Sequence, residues 1–245
     1  SEGGGIADVL IGDAAGKPRF DFRGKLPAAW PKTPSMADGA LYPFGYGLTY
    51  KSPPAAWKAL PEAAGDARDA RIYFAKGVPA ASWSLIVGNI DRKDEKRITS
   101  VPADAIGGRA KITAADAGVQ EGARRVQVSD GGAALAVSSH DPLNVSRETN
   151  GDVLVLFTVK VDKAPQSTAL ALRCDGPKCG AQVPLKLPAN GKYVRYGVPL
   201  KCFAAKGADM TKVTAPFILE TSGAADYSLS EVRLGSDAEK VLPCG

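Results

Sequence analysis

Residues 153–162, VLVLFTVKVD, alternate with a period of two, and that period constrains the fold more than any other feature of the chain. Val153, Val155, Phe157, Val159 and Val161 fall on one face. Leu154, Leu156, Thr158, Lys160 and Asp162 fall on the other, which turns polar toward its end. A strand of this kind has to bury its branched face against a second layer. Shorter runs of similar character follow the same logic: RRVQVSD, ALALRC, YVRYGVPL and PFILET. Turn residues separate them, in DGG at 130–132, TNGD at 149–152 and ANGK at 189–192. No long helical pattern interrupts the series, and no repeat of fixed period is present. Strands at this spacing read as a mainly β fold, an antiparallel sandwich or jelly roll, over residues 70–245.

The front of the chain reads differently. Residues 1–50 are dense in glycine and proline, with one helical stretch, GIADVLIG. There Ile6, Val9 and Leu10 share a face, and Gly12 supplies the stop. One helix and a few extended residues cannot build a core alone, so this part has to pack on something else. The ten residues LYPFGYGLTY, 41–50, have neither helix nor strand period and read as an ordered, aromatic-anchored loop. Residues 51–69, rich in alanine and proline, read as a linker with a short helix around Trp57.

Composition excludes several classes. The net charge is +5, but it is scattered, as in DRKDEKR at 91–97. A nucleic-acid binder should carry a clustered basic stripe, so none is expected as a partner. No run of about 18 apolar residues exists, so no membrane span is expected. The chain opens on Ser1 without a signal sequence, which reads as a processed chain or an excised fragment. The four cysteines, Cys174, Cys179, Cys202 and Cys244, allow three pairings. The Gly-Pro turn inside CDGPKC favours Cys174–Cys179, which leaves Cys202–Cys244. A zinc site is the poorer reading: the spacing is not two close pairs, and His140 is the one histidine. Disulfides imply an oxidising compartment, so the expected location is periplasmic or secreted.

Catalytic motifs fail on inspection. GDAAGKP has three residues between its glycines, not four, and Pro18 after Lys17, so it is no phosphate loop. Ser139, His140 and Asp141 stand side by side in SSHDP. Adjacent strand side chains point apart, so they read as a polar strand end rather than a triad. The 26 acidic residues single out no acid–base pair. No ligand spacing identifies a structural calcium site, and no cofactor is expected.

Three segments in order carry a resemblance. EGGGIADVLIG, then GKLPAAWP, then LYPFGYGLTY resemble the end of the α/β sandwich domain of glycoside hydrolase family 3, with Ala29 departing from the usual Thr or Ser. The resemblance makes residues 1–50 a short α/β-domain remnant and LYPFGYGLTY its closing loop. Residues 70–245 resemble the C-terminal extension of the exo-β-glucan hydrolase subgroup, a galactose-binding-like jelly roll. YVRYGVPLKCF and APFILETSGAADYSLSEVRL are similar to its last strands. The family's nucleophile and its proton donor lie in parts outside these residues; Glu2 belongs to the matched pattern and is not that acid. No catalytic residue is therefore assigned.

What the resemblance implies is an accessory module, not an enzyme in itself, attached to upstream catalytic domains of a family 3 β-glucosidase or exo-glucanase. Its partner would be a β-glucan or oligosaccharide. Such modules hold the apolar side of a pyranose on an exposed aromatic ring and its hydroxyls with polar groups. Tyr73, Trp83, Tyr193 and Tyr196 are the aromatic candidates, with Arg147 and Arg173 as polar ones. The alternative for each ring is a place in the core, which is the favoured reading for Trp83. The alternative for the whole module is a structural brace or dimerisation surface.

Overall fold

The structure, a computed structural model, describes residues 3–32, 39–52, 71–176 and 179–244. The expected linker helix around Trp57 lies outside them, as does Glu2. The chain divides into two compact units, residues 1–67 and 68–245.

In the first unit α1 (Gly3–Leu10) forms where GIADVLIG predicts it, yet it buries none of its residues. Ile6 and Leu10 are both more than half exposed. Two short strands, β1 (Trp30–Pro31) and β2 (Ala40–Tyr42), pair antiparallel. The aromatic loop is ordered by contacts within itself and to α1. Tyr42 stacks on Tyr46 with centroids 4.5 Å apart, and the Tyr50 hydroxyl donates to the Val9 carbonyl. Trp30, Phe44 and Leu48 remain exposed, and an open apolar groove of about 760 Å³ runs between Phe22, Leu26, Trp30, Tyr42 and Tyr46.

The second unit is a β-sandwich, the predicted class. Its strands are β3 (Ile72–Ala75), β4 (Val78–Pro79), β5 (Trp83–Gly88), β6 (Lys96–Arg97), β7 (Ala103–Ala105), β8 (Ala110–Ala117), β9 (Val119–Val128) and β10 (Ala133–Ser139). After them come β11 (Leu154–Lys163), β12 (Ser167–Cys174), β13 (Gly180–Leu185), β14 (Val194–Pro199), β15 (Val213–Ser222), β16 (Ala225–Gly235) and β17 (Lys240–Val241). A six-stranded sheet runs β13-β12-β15-β10-β5-β6, and a nine-stranded sheet runs β17-β14-β11-β16-β9-β8-β7 with β3 off β16 and β4 paired to β3. Neighbours pair antiparallel except β14 with β17. Consecutive strands repeatedly land in different sheets, as β9 and β10 or β15 and β16 do, which is what a jelly roll requires.

The alternation read in 153–162 appears as β11. Val155, Phe157, Val159 and Val161 point into the core with β10 Leu135 and Val137, β12 Leu170 and Leu172, and β15 Phe217 and Leu219. The other face is not polar throughout. Leu154 and Leu156 are buried too, each beside one cross-strand glycine: Leu154 faces Gly235 of β16 and Leu156 faces Gly197 of β14. A Cβ on Gly197 would come within 2.7 Å of Leu154 Cδ1, and one on Gly235 within 2.8 Å of Leu156 Cδ1, so the leucines fill what those residues leave vacant. YVRYGVPL is strand only as far as Pro199. Proline ends the ladder for want of an N–H, and α3 (Leu200–Ala205) follows, burying Leu200, Cys202 and Phe203. A single turn, α2 (Ser146–Thr149), runs into TNGD and shares its Thr149. Among the described residues no helix is long and apolar enough to cross a membrane.

Both expected disulfides are present, Cys174–Cys179 and Cys202–Cys244. The first closes five residues of chain and the second 42. In the chain-entropy account the longer closure restricts the unfolded chain more, by about 4 kcal/mol against about 2 for the shorter. Replacing Cys202 and Cys244 by Ser is therefore expected to lower the denaturant midpoint clearly more than replacing Cys174 and Cys179, measured by urea unfolding under non-reducing conditions. The reverse order would contradict the account.

Candidate functional site

The outer face of the six-stranded sheet can be read row by row from the strand register. One row runs Gln182, Ala171, Ile218, Ala136, Ile86, Arg97. The next runs Pro184, Ala169, Glu220, Ala134, Gly88. Glu220 thus stands in the middle of a sheet face with alanines on both sides. Small neighbours leave a depression around it, a cleft of about 310 Å³ lined by Ile90, Ser167, Ala169, Gln182, Pro184, Glu220 and Ser222.

The walls come from two places. The segment after β5 folds back over Gly88, where a Cβ would meet the Asp94 carbonyl at 2.8 Å. Arg92 in that segment holds a left-handed φ of 62° and reaches Glu220 at 4.0 Å, while Glu95 pairs with Arg173 at 3.4 Å. These two ion pairs pin the segment to the sheet and set Ile90, 42% exposed, at the rim. The far end is closed by the hydroxyls of Ser167 and Ser222, 2.7 Å apart.

Glu220 is 8% exposed. Its Oε2 accepts a hydrogen bond from Gln182 Nε2 at 2.6 Å. Its Oε1 has Arg92 at 4.0 Å, which is charge proximity without a hydrogen bond. A carboxylate offers about four acceptor positions, so most of this one's capacity is unused. Burial pushes its carboxyl above the ordinary carboxylate range, with Arg92 opposing. The outer face of the nine-stranded sheet behaves in the opposite way. There Arg125 grips Asp226 through two bonds of 2.8 and 2.6 Å, Gln127 adds a third, and the carboxyl is held below its usual range mainly by Arg125. On that face the carboxylate is met by three side-chain hydrogen bonds, although Arg195 Nε has no hydrogen-bond partner, whereas Glu220 receives one.

The residues singled out from sequence do not converge. Tyr73 and Tyr196, 1% exposed each, are core residues and offer no face to a ligand, which corrects their reading as sugar platforms. Tyr73 packs on the half-buried Trp83 at 4.4 Å, and Tyr196 on Phe157 at 5.7 Å. Inward-pointing positions of β3 and β14 dictate this. Tyr193 sits half-buried, donating its hydroxyl to the Asp116 carbonyl at 2.9 Å. Arg147 is exposed on α2. Arg173 alone shares the sheet face of the cleft. Ser139 and Asp141 form a local turn, with the Asp141 amide donating to Ser139 Oγ at 3.1 Å, as expected of a strand end. Missed from sequence were Glu220, Gln182, Arg92 and Ile90. A signal existed: in FILETS a carboxylate interrupts a run that is apolar on both faces. Among the described residues no three His, Cys, Asp or Glu side chains gather as metal ligands would.

Residues 81–234 match the family model Exop_C, galactose-binding domain-like. The chain belongs to this family. The match spans every strand that builds the cleft. A solved exo-1,3/1,4-β-glucanase, ExoP from a Pseudoalteromonas species, is similar over 98% of this chain and 30% of its own length, at 22% identity and TM-score 0.56. This chain thus spans less than a third of that enzyme's length. The extra C-terminal domain of the same glucanase, solved alone, is similar over 71% of this chain and 96% of its own, at 13% identity and TM-score 0.55. At these identities the likeness is one of fold. No curated protein matches.

The raised Glu220 carboxyl has a consequence for stability. The folded state holds that proton more tightly than the unfolded chain does, so acidification from neutral pH toward the ordinary carboxylate range adds stability through this residue. Glu220→Gln removes the titration. The variant is expected to melt at or above the unaltered protein near neutral pH, the difference shrinking as pH falls. Calorimetric melting at stepped pH checks this; a difference that grows on acidification would contradict it.

Proposed function

We propose that the chain is a carbohydrate-binding accessory module of a family 3 glycoside hydrolase acting on β-glucan, exported to the periplasm or beyond the cell, with the Glu220 cleft as its sugar site. The observation that carries the site is the half-closed depression in which a buried carboxylate keeps unused acceptor capacity. Glu220, Gln182 and the two serines supply hydrogen-bonding groups for hydroxyls, and Ile90 and Pro184 supply an apolar edge for a pyranose C–H face. Membership of the galactose-binding domain-like family and the fold likeness to the glucanase support a module of this kind. The two disulfides support an oxidising location. The three family 3-like segments support the parent enzyme, with its nucleophile and proton donor upstream.

A bracing role is the second reading, and a separate observation favours it. The first unit leaves Ile6, Leu10 and Phe44 exposed and has an open apolar groove with Trp30 and Leu48 on its lining, which suits a segment that completes an upstream α/β domain.

Calorimetric titration with cello- and laminari-oligosaccharides separates the two. Heat that saturates at millimolar sugar or below is expected. Glu220→Ala is expected to weaken binding at least tenfold, about 1.4 kcal/mol, in line with hydrogen bonds to a charged group. No heat at millimolar sugar would leave the bracing role. Turnover of an aryl β-glucoside would contradict the accessory reading itself.

A further inference from the structure

The way Glu220 is held limits which sugars it can read. Its Oε2 is fixed by one bond from Gln182, and Oε1 carries none, so both oxygens have free lone pairs. Cross-strand alanines on either side, Ala169 and Ala134, leave room beside the carboxylate, so that it is reached from above the sheet. A buried acceptor-only group with spare capacity is best met by two donors arriving together, and a single donor leaves part of its desolvation uncompensated. Two hydroxyls on adjacent ring carbons are spaced to meet the two oxygens of one carboxylate. A ligand anion would set a second negative charge beside Glu220 in a half-closed site where, among the described residues, Arg92 is the one cation in contact.

We infer that the cleft selects a neutral sugar ring bearing two free hydroxyls on neighbouring carbons, with both donating to Glu220. This rests on the sugar-site reading above and narrows it to a chemical class.

The class has a consequence for linkage. In a 1,4-linked glucan every internal glucose keeps free hydroxyls on carbons 2 and 3. In a 1,3-linked glucan the internal residues keep those on 2, 4 and 6, which are not neighbours, and only the chain ends present an adjacent pair. The cleft therefore takes 1,4-linked stretches anywhere along a chain and 1,3-linked chains at their ends alone.

The test titrates the full chain with three soluble probes matched for total glucose: a long mixed 1,3/1,4-β-glucan, a long 1,3-β-glucan, and the mixed glucan after periodate oxidation, which cleaves adjacent diols and spares internal 1,3-linked rings. Binding of the intact mixed glucan is expected, with at least tenfold weaker apparent affinity for the other two. Glu220→Ala is expected to abolish the preference. If the oxidised or the long 1,3-linked glucan binds as well as the intact mixed glucan, the diol inference falls while the sugar site stands. If none of the three binds, the sugar site falls and the inference with it. The periodate comparison uses the unaltered protein, so it decides the matter even if Glu220→Ala fails to fold.

Discussion

The contact between Phe157 of β11 and Phe217 of β15, centroids 5.4 Å apart, joins the two sheets at the middle of the sandwich. Both rings are fully buried, and Tyr196 packs beside Phe157 on the next strand. Offset and tilted aromatic pairs add to the area they bury, and their size fixes how the facing sheets interdigitate. Once Phe217 points inward, the pleat sends Ile218 and Glu220 outward. The position of the cleft is therefore set from inside: a one-residue slip of β15 would bury the carboxylate in the core and expose two aromatic or aliphatic side chains.

The two outer faces then diverge by composition. The nine-stranded face is long in side chain and pairs its charges among themselves. Arg195 and Arg233 share Asp237 at 2.9 and 2.5 Å, and Arg233 also contacts Glu231. Such half-buried, mutually paired networks leave little for a ligand to gain. The six-stranded face is short in side chain, with alanine at five of its buried or nearly buried outward positions: 134, 136, 169, 171 and 215. Side chains this short leave Glu220 low on the sheet with room above it. The segment carrying Ile90 and Arg92 encloses that room from one side.

Much of this was legible in the residue order. The alternation in β11 follows from valine and phenylalanine at every second position, and α1 from the spacing of Ile6, Val9 and Leu10. The cysteine pairing follows from a short turn and what it leaves over. The strands β8 and β10 were not legible, because AKITAADA and AALAVSS are built on alanine, which carries too little hydrophobic contrast to show a period. The aromatic candidates misled for a related reason. In a chain with 7% aromatic residues the rings of the sandwich are needed inside, and Tyr73 and Tyr196 are spent on the core. Glu220 was hidden because sequence does not say which face of β15 is outermost until its neighbours β10 and β12 are known, and both of those are alanine-rich.

The central claim is that the sugar site lies on the alanine-floored face around Glu220 and not on the aromatic side chains. The most direct measurement is a nuclear magnetic resonance titration of the full chain with a cello-oligosaccharide, following backbone amides and alanine and isoleucine methyl groups. Perturbations concentrated on Ile90, Ala134, Ala169, Gln182 and Glu220, with Tyr193 and its neighbours unmoved, are the expected result. Perturbations centred on Tyr193 and the nine-stranded face, with the Glu220 cleft silent, would contradict it.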